Sequence, residues 1–211
     1  MSVHTIFATG IIKSDYPELA SEVSSLFVEK NLHESANANF KTSLETYIGY
    51  GGTQVRENYN KKELTIVDKI KTTILKESEK FFEEFGYKYD KTDLELTVTG
   101  LWLNEMESNS QHEQHQHYGN ILSGCFYVDV PQGSGGITFI GPLSRFDKAM
   151  LDIANYTIFN SHSWTLDLEK GNLLLWESYI PHRVVNAEFI GKRRSIAFDV
   201  SLKPIKKGVY K

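Results

Sequence analysis

From about Leu94 to Leu202 the sequence is a succession of short runs of β-branched and aromatic residues, each closed by turn formers. The runs are Leu94 to Glu105, Leu122 to Val130, Gly136 to Ile140, Trp164 to Leu168, Leu173 to Trp176 and Arg193 to Leu202. Pro131-Gln132-Gly133-Ser134-Gly135 parts the second from the third. Short alternating runs bounded by Gly, Pro and Asn read as strands. Six or more of them at this density predict a β-sandwich or an open barrel.

Upstream the period changes. Thr5 to Ile12 reads as a strand, and Ser14 or Asp15 as the cap of a helix with Pro17 in its first turn. Leu19, Val23, Leu26 and Phe27 follow at helical spacing. Residues from about Asn31 to Asn60, rich in Asn, Ser and Gly, read as a long loop with short elements. A second helix runs from about Lys62 to Phe85; Ile66, Ile70, Ile74, Phe81 and Phe85 mark its buried face and Gly86 ends it. The expected class is mainly β with flanking helices (α+β), one domain over 1–211. About 1–92 would be helical support packed outside, and about 93–203 the β-core. Pro142 to Ser163 fits no strong pattern and reads as an insertion or lid.

Composition narrows the partners. With 211 residues, 40% of them hydrophobic, the chain can bury a sizeable core without staples. A formal net charge of -4 provides no basic field and speaks against nucleic acid, despite the tail lysines Lys203, Lys206, Lys207 and Lys211. The one cysteine, Cys125, cannot form an intrachain disulfide, and in the apolar run from Ile121 to Val128 it reads as a small buried residue. No signal peptide is apparent, and no apolar run approaches the ~20 residues that cross a bilayer. The expectation is a cytoplasmic protein of open oligomeric state with no membrane attachment.

The chemistry lies in His112-Glu113-Gln114-His115-Gln116-His117. In a strand, side chains two apart share a face, so His115 and His117 project together, ~7 Å apart along the backbone, and both imidazoles can reach one metal. A third ligand from a distant strand would complete a facial set with open positions, and His182, after Leu173 to Trp176 and a turn, is the candidate. A polar run of this kind also describes an exposed loop. His112 falls on the opposite parity and reads as surface or outer support, whereas Glu113 shares the parity of the pair and stays open as a substitute ligand. Glu177 is another carboxylate near in sequence. His4, His33 and His162 read as ordinary surface or satisfied core residues.

Arg193 lies beyond a predicted hairpin, Asn186-Ala187-Glu188 to Gly191-Lys192, which would set His182 and Arg193 on adjacent strands. Arg193 and Ser195 share a strand face. If that face is interior, the buried guanidinium needs an anion, and its planar fork suits a carboxylate. Arg194 would point the other way with Ile196 and Phe198; a slip of one residue would exchange the two roles.

In order and spacing these residues resemble a known family. Trp102-Leu103-Asn104, His115-Gln116-His117, Leu122-Ser123-Gly124-Cys125-Phe126-Tyr127, Gly135 to Pro142 with Phe139, Gly171-Asn172-Leu173-Leu174-Leu175-Trp176, His182 and Arg193-Arg194-Ser195 follow one another. From about Leu101 to Leu202 the chain resembles the Fe(II)/2-oxoglutarate-dependent oxygenases of the double-stranded β-helix (jelly-roll, cupin-like) fold, in particular a small subfamily of bacteria and phages. The resemblance implies that His115, His117 and His182 bind iron. It implies that Arg193, helped by Ser195 and Tyr127, binds the distal carboxylate of 2-oxoglutarate, and that Asn104 and Trp102 line the site. It implies a dioxygenase that hydroxylates a small-molecule or peptide substrate while converting 2-oxoglutarate to succinate and CO2. Most of the superfamily uses H-x-D or H-x-E, and His117 departs from that. Two other readings stay open here: a three-histidine cupin-type metal enzyme, such as a thiol dioxygenase or a zinc hydrolase, and a non-catalytic β-sandwich binding module.

Overall fold

The computed structural model describes residues 2, 4, 8–27, 32–34, 41–42, 60–141, 153–185 and 187–205. Most of the loop expected over 31–60, the first half of the 142–163 insertion, Asn186 of the expected hairpin and the tail lysines from Lys206 onward lie outside them.

Two antiparallel sheets face each other. The larger has seven strands, numbered in chain order but arranged across the sheet as β1 (Ile12–Asp15), β9 (Asn172–Glu177), β6 (Leu122–Asp129), β11 (Arg193–Pro204), β4 (Leu94–Met106), β3 (Lys41–Thr42) and β2 (His33–Glu34). The smaller has four: β5 (His112–His115), β10 (His182–Val184), β7 (Ile137–Ile140) and β8 (Ser163–Leu166). The jelly-roll expectation is borne out: two sheets, with the helices outside. Two details of the reading are corrected. Strands from the first ninety residues, β1 to β3, join the larger sheet, so that segment is not helical support alone. His182 and Arg193 do not lie on adjacent strands: the connection between them crosses from one sheet to the other, and the two side chains meet the cavity from opposite walls.

The outer face of the larger sheet carries the helices. Helix α1 (Pro17–Val23) starts at Pro17, but neither Ser14 nor Asp15 caps it: Tyr16 holds that position without a side-chain bond. Ser14 donates instead to Glu77, and Asp15 accepts from Asn172. Helix α2 (Lys61–Glu84) opens on a capping box, with Asn60 accepting from the Glu63 amide and Glu63 from the Asn60 amide. Its Ile70, Ile74 and Phe81 are fully buried against the outer residues of the sheet. Burying each of these side chains contributes ~1.5–3 kcal/mol.

A bulge keeps the long strand β4 in phase. Asp199 pairs with Gly100 but Val200 with Val98, so Thr99 is the extra residue. Leu96 and Val98 before it, and Leu101 and Leu103 after it, all reach the helix-side core. Trp102 and Asn104 are thereby turned to the inner face. Gly124 on β6 admits the Phe198 ring of β11 into space a Cβ would occupy. No helix among the described residues is long and apolar enough to cross a membrane.

Candidate active site

The site is the cavity between the sheets, built from three rows of paired residues. On the larger sheet Ser195 of β11 lies between Tyr127 and Asn104, Ala197 between Cys125 and Trp102, and Asp199 between Ser123 and Gly100. Arg193 lies at one end of this ladder and Asp199 at the other. The opposite wall is β5 and β10, where His182 pairs with His115.

His115, His117 and His182 place one ring nitrogen each within 4.8 Å of the others. Their centroids are 5.2 Å (His115–His117), 4.3 Å (His115–His182) and 5.3 Å (His117–His182) apart. Each ring has its Nδ1 engaged outward. His115 Nδ1 meets the Glu113 carbonyl at 2.8 Å, His182 Nδ1 the Ile180 carbonyl at 3.1 Å, and His117 Nδ1 the Asp199 carboxylate at 2.6 Å. A proton on each Nδ1 leaves three Nε2 lone pairs for the cavity, the tautomer that a metal requires. Burial pulls His182 down to about 3, with the neighbouring His115 adding to the effect, and burial likewise lowers His115. Both rings are therefore neutral and competent as ligands.

The structure separates these residues from the rest of the polar run. The Glu113 side chain is exposed and only its carbonyl touches the site, through His115. Glu177 is taken by the phenols of Tyr87 and Tyr179. His112, read as surface or outer support, is not on the surface but beside a metal-ligand candidate. Its ring stacks on His115 at 4.0 Å and lines the cavity. The reason is an irregularity in the β5–β10 register: two steps on β10, from His182 to Val184, span three on β5, from His115 to His112, which breaks the alternation. Burial lowers His112 to about 3. Asp199, which stands behind His117, and Trp176, which lines the cavity, escaped the sequence reading. Trp176 packs its ring 4.8 Å from His182.

At the far end, Arg193 is 3% exposed. It makes long bonds to the carbonyls of Ser134 and Gly136, at 3.5 and 3.4 Å, and meets the Tyr127 hydroxyl, while its Nε has no partner. Its guanidinium lies over the Tyr127 ring at 5.3 Å. No carboxylate pairs with it among the described residues. Burial pushes the Tyr127 phenol well above its ordinary value, so it stays a protonated donor. Arg194 points outward and is held by Glu105 and Asp129, which settles the parity of the two arginines. Tyr127, Ser195, Asn104 and Trp102 all line the cavity; Cys125 does too, although its thiol is buried and raised by that burial.

A cluster of neutral imidazoles across a cavity from a buried, anion-free guanidinium fits a divalent metal and a carboxylate-bearing ligand together. Residues 100–199 match the family described as "Putative 2OG-Fe(II) oxygenase". This segment is a 2OG-Fe(II) oxygenase core. Solved structures share the fold of the oxygenase at low identity. A Pseudomonas putida prolyl-4-hydroxylase is 11% identical with a TM-score of 0.56, covering 92% of this chain and 92% of its own. The epimerase SnoN, in complex with Fe3+, alpha-ketoglutarate and nogalamycin RO, is 12% identical at 0.60, covering 95% and 83%. A prolyl hydroxylase from Trichoplax adhaerens, in complex with a hypoxia-inducible-factor peptide fragment, is 13% identical at 0.55, covering 92% and 84%. The comparison with curated proteins returns no match. The family match and the histidine cluster point together to Fe(II) and 2-oxoglutarate as cofactors.

Proposed function

We propose that the oxygenase holds Fe(II) through the Nε2 atoms of His115, His117 and His182, and that Arg193 binds the distal carboxylate of 2-oxoglutarate with Ser195 and Tyr127 as hydroxyl donors. The observation that carries this reading is the buried Arg193 guanidinium, with an unpartnered Nε and no carboxylate beside it, in the cavity that the three imidazoles enter. A charge so placed is costly unless an anion joins it. Bound together, iron and 2-oxoglutarate would let one O2 act as the oxidant: one oxygen atom would enter succinate as 2-oxoglutarate loses CO2, and the other would turn a substrate C–H bond into C–OH. The residues of the chain bind and orient. Arg193 fixes one end of the cosubstrate. The Nδ1 contacts of the three histidines fix the rings, and Trp102, Phe139 and Trp176 pack beside those rings and limit access of water.

The substrate is a small molecule or a peptide, and the surface beside the site supports an apolar or aromatic group on it. Tyr118 directly follows His117 in sequence and is exposed, and Trp164, paired with Phe139 across β7–β8, is exposed as well. The buried, unpaired Cys125 supports a reducing compartment, and we place the protein in the cytoplasm. Anaerobic addition of 2-oxoglutarate to the Fe(II)-loaded protein tests the assignment. A metal-to-ligand charge-transfer band is expected with the native chain and much less of it with Arg193→Ala. An iron-loaded native protein with no such band would overturn the reading.

A further inference from the structure

His117 differs from its two partners in what stands behind it. His115 and His182 rest on neutral backbone carbonyls, but His117 rests on a carboxylate. Asp199 is buried, at 8% exposure, and its Oδ1 receives both His117 Nδ1 at 2.6 Å and the Ser123 hydroxyl at 2.7 Å. Ser123 is braced in turn by Ser178 at 2.8 Å, and the His117 amide donates to the Ser178 carbonyl. The only ionic partner recorded for Asp199 among the described residues is His117; no Lys or Arg reaches it. A buried carboxylate in that state is held at a cost that a nearby cation would relieve.

The position in the sequence sharpens the point. His117 occupies the place where H-x-D and H-x-E oxygenases put an anionic ligand. Three neutral imidazoles leave a divalent ion with its full +2 charge; one carboxylate, direct or one hydrogen bond away, lowers the charge of the centre to +1. We propose that Asp199 is a positioning residue that fixes the Nδ1–H tautomer of His117 and returns to the metal centre, through that ring, the negative charge the three-histidine set lacks. The inference rests on the three-histidine assignment above. It assigns a residue outside the H-x-H, distal-His and Arg-x-Ser pattern, and it accounts for why the substitution of a carboxylate by His117 is tolerated.

Co(II), stable in air, serves as the probe, its affinity measured by competition with a chromophoric chelator. The whole chain is used, with far-UV circular dichroism and thermal unfolding as checks on fold. Asp199→Asn keeps an oxygen acceptor but removes the charge. It should weaken Co(II) binding about 10- to 100-fold, the usual cost of losing an outer carboxylate on a metal-bound histidine. In a His117→Asp background the ligand itself carries the charge and no imidazole remains to orient, so the same change should cost less than about threefold. An equal loss in both backgrounds, or a loss under about threefold with His117 present, overturns the proposal. Failure of the native chain to bind Co(II) strikes the three-histidine assignment itself, which keeps the two outcomes apart. Should Asp199→Asn not fold, nitrogen-15 spectra of the native Zn(II)-loaded protein decide. A hydrogen-bonded proton on His117 Nδ1 is expected, and a proton on Nε2 overturns the proposal.

Discussion

Arg193 and Arg194 are neighbours on one strand and have opposite fates. Arg194, on the helix side, lies 2.8 Å from Glu105, meets Asp129 at 3.4 Å, and stacks over Phe27. Arg193, on the cavity side, is more deeply buried and has no anion. The contrast continues along β11. Ile196, Phe198 and Val200 fill a closed apolar core, while Ser195, Ala197 and Asp199 line or border the cavity. A strand with one face finished by the protein and one face waiting for a ligand shows where function was built at the expense of stability.

The largest effect should separate the two arginines by ligand binding. Arg193→Ala should weaken 2-oxoglutarate binding to the metal-loaded protein about 100-fold or more, since it removes a buried charge-assisted pair. Arg194→Ala should change it by less than about threefold; calorimetric titration reads both. If the two variants lose affinity equally, the distinction between the faces fails. Stability of the metal- and cosubstrate-free protein should move in opposite directions. Arg193→Met removes an unpaired buried charge and should raise the unfolding free energy by about 1–3 kcal/mol. Arg194→Met leaves Glu105, itself 3% exposed, with Lys192 as its remaining cation, and should lower it by about 1–3 kcal/mol. Denaturant melts of both variants check the sign. Tyr127→Phe keeps the ring under Arg193 and deletes only the hydroxyl. It should weaken 2-oxoglutarate binding about 5- to 10-fold, the worth of one hydrogen bond, and an unchanged affinity would remove Tyr127 from the cosubstrate site.

The same contrast explains what could be read from the sequence. Period-2 alternation placed Arg193 and Ser195 inward and Arg194 outward because β11 pairs with β4 in unbroken register there, the irregularity between Arg194 and Ser195 falling on the β6 side, and the strands of the core lie where the short runs end at Gly, Pro and Asn. Asp199 was within reach of the same logic, four residues beyond Ser195 on the same face, but a lone acidic residue in an apolar strand carries no motif. His112 was out of reach. Its place beside His115 depends on an irregularity between β5 and β10, and register between distant strands is set by tertiary pairing that local sequence does not encode. The crossing of the chain from β10 in one sheet to β11 in the other was hidden for the same reason, since a hairpin and a sheet-to-sheet connection share the same turn residues. The Asn60–Glu63 capping box was written plainly in the sequence, at the edge of a polar stretch that read as loop.

The smallest effect tests whether the finished face is finished throughout. Glu77 of α2 is 0% exposed, yet it is satisfied from within by Ser14 at 2.5 Å and by Tyr16 and Lys80 at 2.6 Å each. Burial pulls its carboxyl upward, but the bonds from Lys80, Ser14 and Tyr16 prevail and hold it below its ordinary 4.5. A carboxylate lowered by folding contributes stability that is fully present above its unfolded value and is lost as pH falls through its folded one. Glu77→Gln should therefore cost about 1 kcal/mol at pH 7 and flatten the fall in stability below about pH 4.5. Because the helix side has no ligand to wait for, loading the protein with Co(II) and 2-oxoglutarate should leave that cost unchanged; the same loading should abolish the stability gain of Arg193→Met, whose native guanidinium then has its anion. A Glu77→Gln penalty that shrank on loading would mean that the two faces of β11 are energetically coupled, and that the division between them is one of geometry alone.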